Sequence, residues 1–154
     1  MILRETDDAE YIKSVLLHES IWEWISDDSC SKDGFEPVIT HGIDYLIPVR
    51  DGVPLGLLML VKCNAATVEL HTAILPEHRG KGLSEVFLAL QSWAYGKGFS
   101  RIRTWVSDSN RPAYVSAKRI GFDLVGTEQK AFLKDGKLHD LHLFGVTLCQ
   151  QQYQ

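Results

Sequence analysis

Cysteine is scarce, basic residues are in the minority, and no apolar run is long enough to cross a membrane. The three cysteines, Cys30, Cys63 and Cys149, are scattered and form no CxxC pair. Neither a disulfide framework nor a thiolate metal site is therefore expected, and a reducing, cytoplasmic setting is the simplest reading. Lys and Arg number 16 against 20 Asp and Glu, a net charge of -4. A general nucleic-acid binder would carry a basic excess or stripe, so nucleic acid is not an expected partner. The longest apolar stretch, 53–61, is far too short for a span and is broken by Pro54 and Gly56. The opening MILRETDDAEY puts acidic residues where a signal peptide would be basic, so a soluble chain without a membrane partner is expected. Repeats and low-complexity tracts are absent.

What is present is ordinary for a globular protein: 154 residues, 45% apolar and 23% charged, enough for one domain and its core. That domain is expected over about 1–150, with 151–154 a frayed tail. A short strand at 2–4 is followed by Asp7-Asp8-Ala9-Glu10, which reads as a capping box with Asp7 as the cap. Apolar spacing through Ile12, Val15, Leu16, Ile21, Trp22 and Ile25 predicts one helix and then a second helix or a bent continuation. The polar stretch 26–42 reads as an irregular loop. Runs 44–50 and 53–63 flank Asp51-Gly52, a strong hairpin signal, and a third run, 66–75, follows. Leu83, Phe87, Leu90 and Ala94 form one stripe of a helix over 83–96. A strand at 101–106, a helix at 110–120 and two strands at 124–133 and 138–148, joined by Asp135-Gly136, complete the chain. The order predicts an α/β fold: one mixed sheet with helices on both faces.

The informative segment is 67–84, a strand, a glycine-rich turn and the start of a helix. Such a turn aims backbone N–H groups at one point, and the helix N-terminus adds partial positive charge, which suits a pyrophosphate. Gly80 and Gly82 allow close approach and unusual backbone angles, and Arg79 and Lys81 add charge. Two familiar phosphate motifs fail. Lys81 is followed by Gly82 and not by Ser or Thr, and Gly80-Lys-Gly82 runs into Leu83, Ser84 and Glu85 without a third glycine.

Ile74-Leu-Pro76-Glu-His-Arg79-Gly-Lys-Gly82-Leu83 resembles the signature of the GNAT acetyltransferase family, in which V-x-P runs into R/Q-x-x-G-x-G/A. Ile74 takes the Val place, and the last position is Ser84. Asn110-Arg-Pro-Ala113 followed by Ile120-Gly121-Phe122 resembles the family's N-x-x-A … L-G-F segment. With strand order counted, the resemblance spans about 44–148. It implies a GNAT acyltransferase fold and acetyl- or another acyl-coenzyme A as co-substrate, with no metal. Backbone groups near Ile74 would pair with the pantetheine, the N–H groups of Arg79, Gly80, Lys81, Gly82, Leu83 and Ser84 would hold the pyrophosphate, and Asn110 would contact the pantetheine arm. Asn110 is equally suited to capping a helix.

Acyl transfer to an amine needs a base. Glu69, ten residues before Arg79, matches the position of the general-base glutamate in histone-acetyltransferase-like members, and Thr67 and His71 share its strand face. Many members place a Tyr seven residues after the Asn, as acid for the leaving thiolate. Ala117 stands there, and Tyr114 is the candidate substitute, with core packing the equal alternative. His139 and His142, three apart on a strand, face opposite ways and make a poor metal pair. Trp22 and Trp24 are expected to pack as core or lid, with lining of an acceptor pocket the alternative, and Asp27, Asp28, Asp33 and Glu36 to form a solvated loop, with attraction of a cationic acceptor the alternative. No Cys or Ser is placed for a covalent acyl-enzyme: Cys63 belongs to a preceding strand and Ser84 to the turn. The expected function is direct acyl transfer to an amine in a ternary complex, with a homodimer allowed. The alternative is a non-catalytic binding or assembly protein that keeps the coenzyme A pocket.

Overall fold

A computed structural model describes residues 1–80 and 82–149; Lys81 and the expected tail lie outside the described residues. The first strand, β1 (Ile2–Thr6), leads into helices α1 (Ala9–Leu16) and α2 (Glu19–Ile25). After the long loop come β2 (Ile43–Arg50), β3 (Val53–Pro54), β4 (Gly56–Lys62) and β5 (Thr67–Ile74). A 3-10 turn at Pro76–His78 precedes α3 (Leu83–Gly96), β6 (Arg101–Ser107), α4 (Arg111–Arg119), β7 (Asp123–Lys134) and β8 (Lys137–Thr147).

The sheet runs β1-β2-β4-β5-β6-β8-β7, with β3 paired to β2. All of these pairings are antiparallel except β5 with β6, which is parallel. The period-two alternation of β5 separates two cores. Val68 and Leu70 join Leu90, Ala94, Ile102 and Phe144 beneath α3 and α4. Ala73, on the opposite face, joins Ile12, Val15, Ile21 and Leu57 beneath α1 and α2. Leu90 and Phe144 are fully buried, and burying a side chain of that class is worth about 1.5–3 kcal/mol. The helices therefore cover both faces of a mixed α/β sheet, as expected.

Both predicted hairpin turns form, and the reason is local. Asp51 and Gly52 have φ of 50° and 77°, and Asp135 and Gly136 have φ of 51° and 73°. Positive φ at both central residues matches the right-handed twist of the flanking strands.

Two local expectations need correction, and one open alternative is decided. The helix cap is Asp8, not Asp7: its carboxylate accepts from the N–H groups of Glu10 and Tyr11 at 3.1 and 3.2 Å. This register turns Ile12 and Val15 inward. Of the two alternatives for 21–25, a second helix is the one that forms: α2 is separate from α1, since the His18 ring accepts from Ser20 N–H and starts it anew. The run 53–63 is two strands, because Leu55 leaves the ladder and Gly56 takes φ of 146°. A Cβ at Gly56 would overlap the Ala73 carbonyl, so the glycine lets β4 approach β5.

Candidate acyl-coenzyme A cleft

The parallel ladder between β5 and β6 is short. It pairs Thr67 with Arg101, Val68 with Ile102 and Glu69 with Arg103, and then stops. Just beyond, the Thr104 hydroxyl donates to the Leu70 carbonyl at 2.9 Å. From there, residues of both strands line a cleft of about 650 Å³. His71, Thr72 and Ile74 come from β5, and Trp105, Val106 and Ser107 from β6. Leu83 and Phe87 of α3 close one side, while Asn110, Ala113, Ser116 and Ala117 close another. Ile21, Trp24 and Ile25 of α2 reach over it. Apolar walls with a few polar groups are the usual make-up of a small-molecule site.

One end of the cleft is the glycine turn. Gly80 and Gly82 have φ of 78° and 66°, so both need the left-handed region that glycine enters without strain. Gly82 is the N-cap of α3, and no side chain caps this helix end. The first N–H groups of a helix have no intrahelical partner, and here Leu83 and Ser84 supply them beside the cleft. Arg79 braces the turn. Its Nε donates to the Ile74 carbonyl at 3.0 Å, and a terminal guanidinium nitrogen donates to the Ser20 carbonyl at 2.8 Å. It thereby fastens the turn to the end of β5 and the start of α2, and it engages the very Ile74 carbonyl expected to meet pantetheine.

Asn110 caps a helix, one of its two expected roles, and also stands in the cleft wall. Its Oδ1 accepts from Ala113 N–H at 3.2 Å at the start of α4. Glu69 and His71 share a strand face as predicted, with Glu69 Oε2 3.1 Å from His71 Nε2. The other Glu69 oxygen accepts from Arg103 Nε at 3.2 Å. The two differ in placement: His71 is among the residues that line the cleft, whereas Glu69 stands one step behind it, among the residues where the ladder is still closed.

Tyr114 lies outside the cleft lining. Ala113, Ser116 and Ala117 of α4 and Ile120 at its C-terminal cap line the cleft. Tyr114 falls on the neighbouring strip, where its ring packs edge-on against His142 and Phe144 of β8. Arg111 and Lys118 sit over the same ring at 5.2 and 5.0 Å. The position seven after Asn110, Ala117, borders the cleft and brings no phenol there.

Reasoning from sequence missed one residue. Arg50, at the end of β2, places its guanidinium against Gly82, so that a Cβ there would overlap it, and pairs with Glu85 of α3 at 3.4 Å. No sequence signal marks Arg50, because the contact depends on the β2–β3 turn folding back over the glycine turn. Trp24 lines the cleft, whereas Trp22 packs edge-on against Phe35 in the loop. His139 pairs with Asp108 at 2.7 Å, and His142 bonds the Thr127 hydroxyl at 2.8 Å. The two histidines have separate partners, as their spacing implied. Among the described residues, no cluster of three or more metal-ligating side chains occurs, and no helix is long and apolar enough to cross a membrane.

A mixed sheet that opens between two parallel strands, beside a glycine turn at a helix N-terminus, is a GNAT-type acetyltransferase architecture. The sequence matches the Acetyltransferase (GNAT) family over residues 11–122, and the chain belongs to that family. Its fold is similar to that of spermidine N-acetyltransferase from Vibrio cholerae, solved in complex with CoA and spermine. That likeness has a TM-score of 0.78 at 18% identity and covers 99% of this chain and 96% of the other. It is also similar to yncA from Salmonella typhimurium, solved with its cofactor acetyl-CoA, with a TM-score of 0.73, 20% identity and coverage of 97% and 95%. At these identities the likeness is one of fold. No curated protein sequence matches the chain.

Proposed function

We propose that residues 1–150 form one acyltransferase domain that moves an acetyl or other short acyl group from acyl-coenzyme A to an amine by direct attack in a ternary complex. The observation that carries this reading is the cleft that begins where the β5–β6 ladder stops and ends at the uncapped N-terminus of α3. An extended polar chain such as pantetheine can pair with the strand edge that β6 leaves, near Thr72 and Ile74. A pyrophosphate can accept from the N–H groups over Gly80 to Ser84, favoured by the helix dipole and by Arg50. A Cβ at Gly82 would overlap the Arg50 guanidinium, so the glycine is what lets this cation sit against the turn. Three free, exposed cysteines agree with a reducing, cytoplasmic setting.

Bound acyl-coenzyme A would supply an activated thioester. His71, a residue of the cleft lining, is our candidate to take the proton of the attacking amine, with Glu69 orienting its ring through their 3.1 Å contact. The amine nitrogen gains the acyl carbon as the carbon–sulfur bond breaks, its proton passes to His71, and the thiolate is protonated from water. Tyr114 has no part in this scheme. A second reading, a protein that binds coenzyme A without transferring acyl groups, is favoured by Ala117 in the cleft wall. Release of free thiol from acetyl-coenzyme A with a panel of amines decides between them. Amine-dependent thiol release is expected; coenzyme A binding with no release for any amine would establish the second reading.

A further inference from the structure

A second cavity, of about 350 Å³, opens between α2 and the β7–β8 hairpin. Trp24 and Phe132 border both this cavity and the cleft, so the two spaces adjoin across an aromatic pair. The walls are tied together. The Asp28 carboxylate accepts from the N–H groups of Asp135 and Gly136 at 2.8 and 2.9 Å, and Asp28 N–H donates to the Leu133 carbonyl at 3.0 Å. Lys134 Nζ donates to the Ser26 carbonyl and hydroxyl at 3.0 and 3.2 Å. The segment after α2 is thus laced to the hairpin tip, which gives the cavity fixed sides.

The charges inside are mixed. Glu23 and Asp135 face the space together with Lys134, Lys137 and His139, in a chain that is acidic as a whole. The Lys134 ammonium is used on Ser26, and His139 is bonded to Asp108. Among the described residues, no carboxylate pairs with Lys137, and no cation pairs with Glu23 or Asp135. An occupant that completes such a site carries both signs of charge and an apolar body between aromatic walls.

We propose that this cavity is the acceptor site and that it takes a small amphoteric amine: an aromatic or apolar body between Trp24 and Phe132, a carboxylate or similar anion on Lys137, and the amine directed into the cleft. The proposal rests on the acyltransferase reading. A polyamine fits poorly, because it offers Glu23 and Asp135 ammonium groups but brings no anion for Lys137 and no aromatic body for Trp24 and Phe132.

Calorimetric titration of the coenzyme A-saturated protein with L-phenylalanine, phenethylamine and spermidine tests this without needing turnover. L-phenylalanine is expected to bind at least tenfold more tightly than phenethylamine, which has the same ring and amine but no carboxylate, and spermidine is expected to bind most weakly. Lys137→Glu, at an exposed position, is expected to erase the preference for L-phenylalanine while leaving coenzyme A affinity unchanged. Equal or tighter binding of phenethylamine or spermidine, no binding of any probe at millimolar concentration, or a preference that survives Lys137→Glu would each overturn the proposal. Failure of coenzyme A itself to bind in the preliminary titration would count against the acyltransferase reading; L-phenylalanine titrated into the free protein would then judge the cavity by the same preference.

Discussion

Gly82→Val is expected to lower coenzyme A affinity at least a hundredfold while leaving a folded protein. Two effects act together. Gly82 has φ of 66°, a conformation that a β-branched residue adopts only with strain. A Cβ would also overlap the Arg50 guanidinium, displacing a cation from the turn. The N–H groups at the start of α3 would then lose both their aim and their charged neighbour. A hundredfold loss corresponds to about 2.8 kcal/mol, at roughly 1.4 kcal/mol per factor of ten. Arg50→Ala keeps the glycine and is expected to weaken binding about tenfold, the scale of one charge-assisted phosphate contact. Circular dichroism and the melting temperature separate loss of the site from loss of the fold. Unchanged affinity in a folded Gly82→Val protein would show the turn to be a mere connection.

The second large effect concerns proton transfer. His71→Ala is expected to lower kcat by roughly a hundred- to ten-thousandfold, the usual range for a general base, with coenzyme A affinity unchanged. Glu69→Gln is expected to cost about tenfold in kcat, since it loosens the orientation of a base that is still present. If Glu69 acts through His71, the double variant is expected to be no slower than His71→Ala alone. A purely structural Glu69 would instead add its loss to that of His71. If Glu69→Gln is the crippling change and His71→Ala is silent, the carboxylate is itself the base, as the family position suggests. The 3.1 Å contact makes these alternatives separable, because only coupled residues give the non-additive result.

Elements governed by local chemistry were legible in the sequence. The Asp-Gly turns announce positive φ at both central positions, and the stripe of Phe87, Leu90 and Ala94 announces the buried face of α3. The glycine turn and the Asn110 cap were legible because each is a short backbone requirement written in one or two residue types. What sequence could not show depends on how distant pieces meet. Whether Glu69 or His71 borders the cleft is decided by where the β5–β6 ladder stops. Tyr114 shares a helix with the cleft-lining residues, yet about a quarter turn places its ring on β8. Arg50 and Trp24 come to the site from a strand end and a helix that lie far from the motif in the chain. The second cavity depends on hydrogen bonds between the segment after α2 and a hairpin more than one hundred residues later, as the 108-residue separation of Lys134 and Ser26 illustrates.

The central claim is that this cleft holds acyl-coenzyme A, and direct calorimetric titration with acetyl-coenzyme A and with desulfo-coenzyme A tests it most directly. The expected result is one ligand per chain for both compounds, with a melting temperature that rises as ligand concentration increases, because a ligand specific to the native state stabilises it by mass action. Similar affinities are expected, since the proposed contacts go to phosphate and pantetheine. No heat and no thermal shift with either compound at millimolar concentration would contradict the claim.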